Sequence, residues 1–184
     1  NLPSGINIVR ESEYGEHMVY TNKQWRESHV TEGQFTSYDG LSIRYYHAPQ
    51  DNYPKGCIVM LHGYCGFWGK FHEMAEYYWF AGYEVFFMEH RGHGYSGRQI
   101  DGADIVHVNS YNDYTQDIHQ FMTEIVKPHI GDLPCIMFAH SMGGAIGALY
   151  LEQHPGIFDA AILSSPMFEI KTDGTPKFLI SLML

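Results

Sequence analysis

The most informative stretch of this chain is residues 138–144, which read Phe-Ala-His-Ser-Met-Gly-Gly. The serine, Ser141, has a small residue two positions to either side of it. The apolar run before it, residues 134–138, is typical of a short buried strand, and residues 142–152 have the apolar spacing of a helix. A serine at so tight a strand-to-helix turn matches the G-x-S-x-G nucleophile elbow, with Ala139 in place of the first glycine. The pattern predicts that Ser141 is a catalytic nucleophile.

An ordinary helix N-cap is the alternative role for Ser141, because helices favour serine at that position. A capping serine does not require small residues on both sides, nor a strand directly before it. The combination of pattern and setting therefore favours the nucleophile.

Strands and helices alternate outward from this turn. Further apolar runs of strand length occur at residues 57–61, 84–88 and 160–163. Helical spacing occurs at residues 71–78 and 114–125. An Asp-Gly pair between alternating stretches, at residues 39–40, predicts a hairpin ahead of them. The order predicts an α/β fold, with a mostly parallel sheet covered by helices on both faces.

Polar and glycine-rich segments follow three of the predicted strands, at His62, at residues 89–96 and at Ser141. Sites in parallel sheets lie at the carboxyl ends of the strands, so these segments should converge. Ester or amide cleavage by a serine needs two donors aimed at the developing oxyanion. The expected oxyanion hole consists of the backbone N–H groups of Tyr64 and Met142.

Composition excludes several classes of protein. The chain has 184 residues, 45% hydrophobic, with a net charge of −10, which argues against a nucleic-acid partner. No apolar stretch approaches membrane-spanning length. The odd cysteine count, Cys57, Cys65 and Cys135, favours free thiols in a reducing compartment. We expect a cytoplasmic position, with transient contact to a membrane surface also compatible with the sequence.

Four motifs carry a family resemblance. They are residues 61–64 (Leu-His-Gly-Tyr), 89–98 (Glu-His-Arg-Gly-His-Gly-Tyr-Ser-Gly-Arg), 139–144 (Ala-His-Ser-Met-Gly-Gly) and 163–168 (Leu-Ser-Ser-Pro-Met-Phe). Together they resemble the alpha/beta-hydrolase superfamily, and within it the lysophospholipase and monoacylglycerol-lipase group. The resemblance begins near Glu32 and runs to the end of the chain.

This resemblance implies a serine hydrolase that cleaves a carboxylic ester of a lysophospholipid or monoacylglycerol through an acyl-enzyme. It implies no metal and no organic cofactor. The implied organisation is an N-terminal arm over residues 1–30, a hydrolase core over 31–166 and the start of a cap or lid over 167–184. Glu89 stands where this superfamily usually has aspartate, with little expected effect because that residue mainly fixes a loop.

The triad acid and histidine should follow the serine in this fold. His154 is the one histidine after Ser141, at the far end of the predicted elbow helix. At 1.5 Å per residue it lies roughly 18–20 Å from the serine, too far to act as its base. We therefore expect a remaining C-terminal part of the hydrolase to supply both groups, with this chain truncated at the start of the cap.

Alternative functions remain open at this point. A peptidase or small-ester carboxylesterase could use the same fold, since the cap and pocket decide the substrate. A non-catalytic binding protein could also retain it. The spacing of Glu89, His90 and His93 is compatible with metal ligation, but a loop-stabilising role is favoured because no further ligands cluster nearby in sequence.

Overall fold

The computed structural model describes residues 8–101 and 105–169. Six strands form one sheet in the order β1-β2-β4-β3-β5-β6. The strands are β1 (Thr31–Thr36), β2 (Ser42–Ala48), β3 (Cys57–Leu61), β4 (Glu84–Met88), β5 (Cys135–His140) and β6 (Ala160–Ser164). β1 and β2 form the predicted hairpin and are antiparallel to their neighbours, whereas β4, β3, β5 and β6 run parallel.

Six α-helices accompany the strands in the described ranges. They are α1 (Tyr14–Val19), α2 (Thr21–His29), α3 (His72–Phe80), α4 (Tyr111–Gln120), α5 (Lys127–Ile130) and α6 (Met142–Gln153). A π-helical segment, Phe121–Val126, joins α4 to α5, and short 3-10 turns occupy Glu11–Glu13 and Trp68–Lys70.

The central strands divide the core into two halves. All five residues of β3 and of β4 are buried, which explains their unbroken apolar sequence. Val59 and alternate residues of β3 face a cluster that includes Ile118 of α4 and Ile146 of α6. Met60 faces the opposite cluster, with Ala75 of α3. The predicted α/β fold, with helices on both faces of a mostly parallel sheet, is confirmed.

The segment predicted to be an N-terminal arm contains helices where it is described. α1 and α2 fall within residues 8–30, and Trp25 of α2 is buried beside Trp79 of α3, with ring centroids 6.1 Å apart. Of the predicted cap segment, 167–184, only residues 167–169 lie within the described part of the chain.

Candidate active site

Ser141 occupies the turn between β5 and α6. Its backbone has φ 53° and ψ −118°, a region that favours glycine and strains a residue with a side chain. Hydrogen bonds to both the N–H and the carbonyl of Ser141 stabilise this conformation. The Ser141 N–H donates to the Ser164 carbonyl (3.0 Å), and its carbonyl accepts from the Met167 N–H (2.9 Å).

The Ser141 side chain does not cap the helix that follows. No hydrogen bond joins its hydroxyl to the first-turn amides of α6, and the residue is partly exposed. The hydroxyl of an N-cap serine would accept a hydrogen bond from such an amide. The geometry therefore does not support the capping alternative.

Glycines allow three segments to meet at this turn. A Cβ on Gly63 would come within 2.9 Å of the Ser141 Cβ, so the loop after β3 lies directly against the serine. A Cβ on Gly143 would collide with the carbonyls of His62 and Leu61, and one on Gly144 would lie 2.9 Å from the Pro166 Cα. The small residues in the sequence motif thus match real close approaches of backbone.

The loop after β3 is fixed by His62, whose ring nitrogens both have partners. Nδ1 lies 2.7 Å from the Gly63 carbonyl, and Nε2 accepts the His90 N–H at 2.9 Å. This assigns the proton to Nδ1. Burial lowers the pKa of His62 to about 3, so the ring is neutral at physiological pH.

The Tyr64 ring is exposed, and its edge faces His93 across 6.0 Å. Cys65, next in the loop, has φ 52°, and the Gly66 N–H closes the turn onto the Gly63 carbonyl at 2.9 Å. Within the described residues, the Tyr64 N–H donates to no protein acceptor.

Glu89 joins the two loops that flank the site. Its carboxylate is buried, and it accepts the Trp68 N–H at 2.9 Å and the Tyr95 N–H at 2.6 Å. Burial raises the pKa of Glu89, an effect that these amide donors oppose. The residue holds a loop, as its position in the sequence suggested, and the Ser96 hydroxyl donates to its backbone carbonyl at 2.6 Å.

Arg91 anchors the same loop to α4 and to the hairpin turn, a role that the sequence pattern did not indicate. Its fully buried guanidinium donates twice to Asp117 of α4, at 2.7 Å each, and once to Asp39 of the hairpin turn at 2.8 Å. Partial burial would raise the pKa of Asp39, but hydrogen bonds from Arg91 and the Leu41 N–H lower it overall. The sequence did contain one signal for this contact, which is an aspartate, Asp117, on a helix face that is buried.

His154 terminates α6 and stacks on His119, with ring centroids 4.1 Å apart. Twelve helical residues separate it from Ser141, so it is not the base for that serine. Within the described residues, the Ser141 hydroxyl has no hydrogen bond to a histidine.

Among the described helices, none has the length and hydrophobicity of a membrane-spanning segment.

The amino-acid sequence around this site matches a known family of proteins. The family model described as "Serine aminopeptidase, S33" matches residues 52–184. The chain belongs to this family of alpha/beta hydrolases.

Curated relatives of this alpha/beta hydrolase are named as lipases or lysophospholipases. The chain is 36% identical over 146 residues to lysophospholipase L2 of Escherichia coli, and the alignment covers 79% of this chain and 42% of that protein. It is 32% identical over 151 residues to a monoacylglycerol lipase of Mycolicibacterium smegmatis, covering 82% of this chain and 51% of that protein. The chain thus spans about half the length of the curated relatives it matches.

Solved structures agree on the fold. A thermostable carboxyl esterase from Bacillus coagulans aligns with a TM-score of 0.65 at 26% identity, covering 73% of this chain and 44% of the other. An alpha/beta hydrolase from Penicillium aligns with a TM-score of 0.65 at 18% identity, covering 84% of this chain and 51% of the other. The second likeness supports the fold alone.

Proposed function

We propose that this chain carries the nucleophile and oxyanion hole of a serine hydrolase that cleaves a carboxylic ester of a lipid-like substrate through an acyl-enzyme. The substrate class would be a lysophospholipid or a monoacylglycerol. The observation that carries the proposal is the backbone of Ser141, strained at φ 53° between a central strand and a helix N-terminus.

In this reaction the Ser141 oxygen attacks the ester carbonyl carbon and forms a tetrahedral intermediate. The carbonyl oxygen becomes an oxyanion, which the backbone N–H groups of Tyr64 and Met142 stabilise. Met142 begins α6, so its amide also belongs to the positive end of the helix dipole. Collapse of the intermediate expels the alcohol, and water then hydrolyses the acyl-serine.

The serine requires a general base, and in this fold a histidine oriented by a carboxylate performs that role. His62 is unsuitable, because both of its ring nitrogens are already hydrogen-bonded to backbone. We infer that the base and acid are supplied by groups outside the described residues, because in this fold they follow the elbow in sequence.

The names of the relatives support the substrate class. The two curated relatives above are named for lysophospholipid and monoacylglycerol cleavage, each at more than 30% identity. The rival activities are peptide cleavage, favoured by the description of the family model, and small-ester cleavage, favoured by the esterase neighbour. A non-catalytic binding protein on this fold is the rival outside enzymes.

A rate panel distinguishes these activities. An active preparation would be assayed on a monoacylglycerol, a lysophospholipid, a short-chain p-nitrophenyl ester and an aminoacyl anilide. We expect the highest kcat/KM on one of the two lipids. S141A should abolish turnover, while S28A, at an exposed serine of α2, should leave it unchanged. Faster anilide cleavage would support the peptidase, and equal rates for S141A and the parent protein would contradict the proposal.

A further inference from the structure

A second cluster of chemically capable side chains lies at the other end of the sheet. His47 of β2, Glu84 of β4 and His129 of α5 bring their ligand atoms within 4.8 Å of one another. Glu84 begins β4, whereas Ser141 follows the last residue of β5, and the two strands run in the same direction. The cluster is therefore at the amino ends of the parallel strands, opposite the candidate active site.

Both imidazoles converge on one carboxylate oxygen. The Nε2 atoms of His47 and His129 each contact Oε1 of Glu84, the latter at 2.7 Å. The Glu84 side chain is only 6% exposed, and these two imidazoles are the basic side chains within 4.0 Å of its carboxylate among the described residues. A buried carboxylate without a lysine or arginine partner is costly unless cationic groups face it.

The surroundings orient the three groups. The His47 ring stacks on Phe86 at 4.1 Å between centroids, with the planes 10° apart. The His129 ring meets His47 edge-on at 4.6 Å and keeps about half of its side chain in solvent. One ligand is thus fixed by packing, one is buried, and one is accessible to solvent.

We propose that His47, Glu84 and His129 form a binding site for a divalent transition-metal ion of the zinc type. Two imidazole nitrogens and one carboxylate oxygen are a ligand set that zinc accepts, with water completing the tetrahedron. The three ligands come from two strands and from the helix that follows the π-helical segment. A bound ion would therefore fasten α5 to the sheet.

The donor atoms fit such an ion after a small adjustment. Ligands at about 2.0–2.1 Å from a tetrahedral zinc lie about 3.3 Å from one another. The present contacts to Oε1 are shorter, so the imidazoles must move outward by less than about 1 Å. The half-exposed His129 side chain can make its share of this movement into solvent, whereas the contact between His47 and Glu84 lengthens by a small shift of two largely buried side chains.

The test is a titration of the purified full chain with zinc chloride by calorimetry, after chelator treatment. A C65S background removes the exposed thiol, which would itself bind zinc. We expect one equivalent to bind and the melting temperature to rise with zinc. H129A should weaken binding by about tenfold or more, since loss of outer-shell partners alone costs roughly 10–100-fold. H17A is the matched control, because His17 contacts a buried carboxylate, Glu76, without a second histidine.

Cobalt substitution gives a second measurement that does not depend on variant folding. Co²⁺ at this site should give the visible absorption of tetrahedral nitrogen and oxygen coordination. Three results would overturn the proposal: no saturable zinc binding to the parent chain, equal losses in H129A and H17A, or a thiolate-to-cobalt charge-transfer band. The last would place the metal on the buried pair Cys57 and Cys135 instead.

Discussion

Ser141 combines a strained backbone with a hydroxyl that performs no structural duty in the helix after it. A non-glycine residue in this region costs roughly 1–3 kcal/mol, which the surrounding structure must offset. Strain of this kind is expected where geometry serves chemistry. The residue should therefore be replaceable with a gain in stability and a loss of function.

Comparison of S141G with S141A tests this directly. Glycine relieves the positive φ, whereas alanine retains the strain and removes only the hydroxyl. We expect S141G to be more stable than S141A by about 1 kcal/mol, after allowing for the greater freedom of glycine in the unfolded chain. Urea unfolding measures the difference. Equal stabilities would mean that the turn is not strained in solution.

Gly143 tests the close approach between α6 and the loop after β3. A methyl group there would meet two backbone carbonyls, those of His62 and Leu61, which cannot rotate away. We expect G143A to lower the free energy of unfolding by about 1–3 kcal/mol. The control is G15A in α1, where a Cβ has open space around it and alanine favours the helix. Similar losses in both variants would contradict the close packing.

At the scale of elements, Arg91 ties the loop after β4 to α4 and to the hairpin turn. Its bond to Asp117 is bidentate, and both side chains are fully buried. D117N removes the carboxylate that accepts two of these bonds and leaves Asp39 at 2.8 Å and Asp113 at 3.6 Å as the acidic partners of Arg91 among the described residues. We expect D117N to cost about 2 kcal/mol or more in unfolding free energy, because a buried bidentate ion pair is lost.

The control for that substitution is K23A, which breaks the exposed pair between Lys23 and Glu27 within α2. An exposed pair of this kind is worth about 0.5 kcal/mol or less. Chemical denaturation of both variants gives the comparison. A D117N loss as small as that of K23A would show that the Arg91 network does not hold the loops.

Three buried histidines in the loops around the site predict sensitivity to acid. Burial lowers the pKa of His62 to about 3, lowers that of His90 well below its usual value, and lowers that of His93. Above pH 6.5 both folded and unfolded states keep these rings neutral. Below it the unfolded state takes up protons that the folded His62 and His90 rings do not, so stability falls by up to about 1.4 kcal/mol per pH unit for each of these two, and His93 adds a loss of the same sign.

Unfolding free energies measured at pH 7.5, 6.0 and 5.0 check this dependence. We expect the loss to begin near pH 6.5 and to become shallower in H62Q. H107Q, at a partly exposed histidine, is the control and should retain the parent slope. A flat profile between pH 7 and pH 5 would show that the buried rings are not held neutral by the fold.

At the scale of the whole molecule, local patterns were sufficient for the strands and the elbow. The β3 and β4 boundaries and the hairpin follow from apolar runs and one Asp-Gly pair, because each depends on neighbouring residues only. The contacts of Arg91 with Asp39 and the cluster around Glu84 join residues far apart in sequence. Such juxtapositions depend on strand order, which residue patterns do not specify.

The same limit applies to the N-terminal helices. Residues 8–30 are polar and weakly periodic, yet Trp25 is buried against the α3 face of the sheet. The buried residues of α2 are Trp25 and Asn22, one of them polar, so the helix has no apolar periodicity that would predict its packing. The strand, turn and helix around Ser141 are local and follow from seven residues, whereas its hydrogen bonds to Ser164 and Met167 join it to a separate strand and the segment after it.

The Ser141 hydroxyl is the proposed nucleophile of this hydrolase. Labelling of an active preparation with a fluorophosphonate, followed by peptide mass spectrometry to locate the adduct, tests this role. We predict a single phosphonylated peptide with the modification on Ser141, formed in step with loss of esterase activity. An adduct on another residue, or full inactivation with Ser141 unmodified, would show that Ser141 is not the nucleophile.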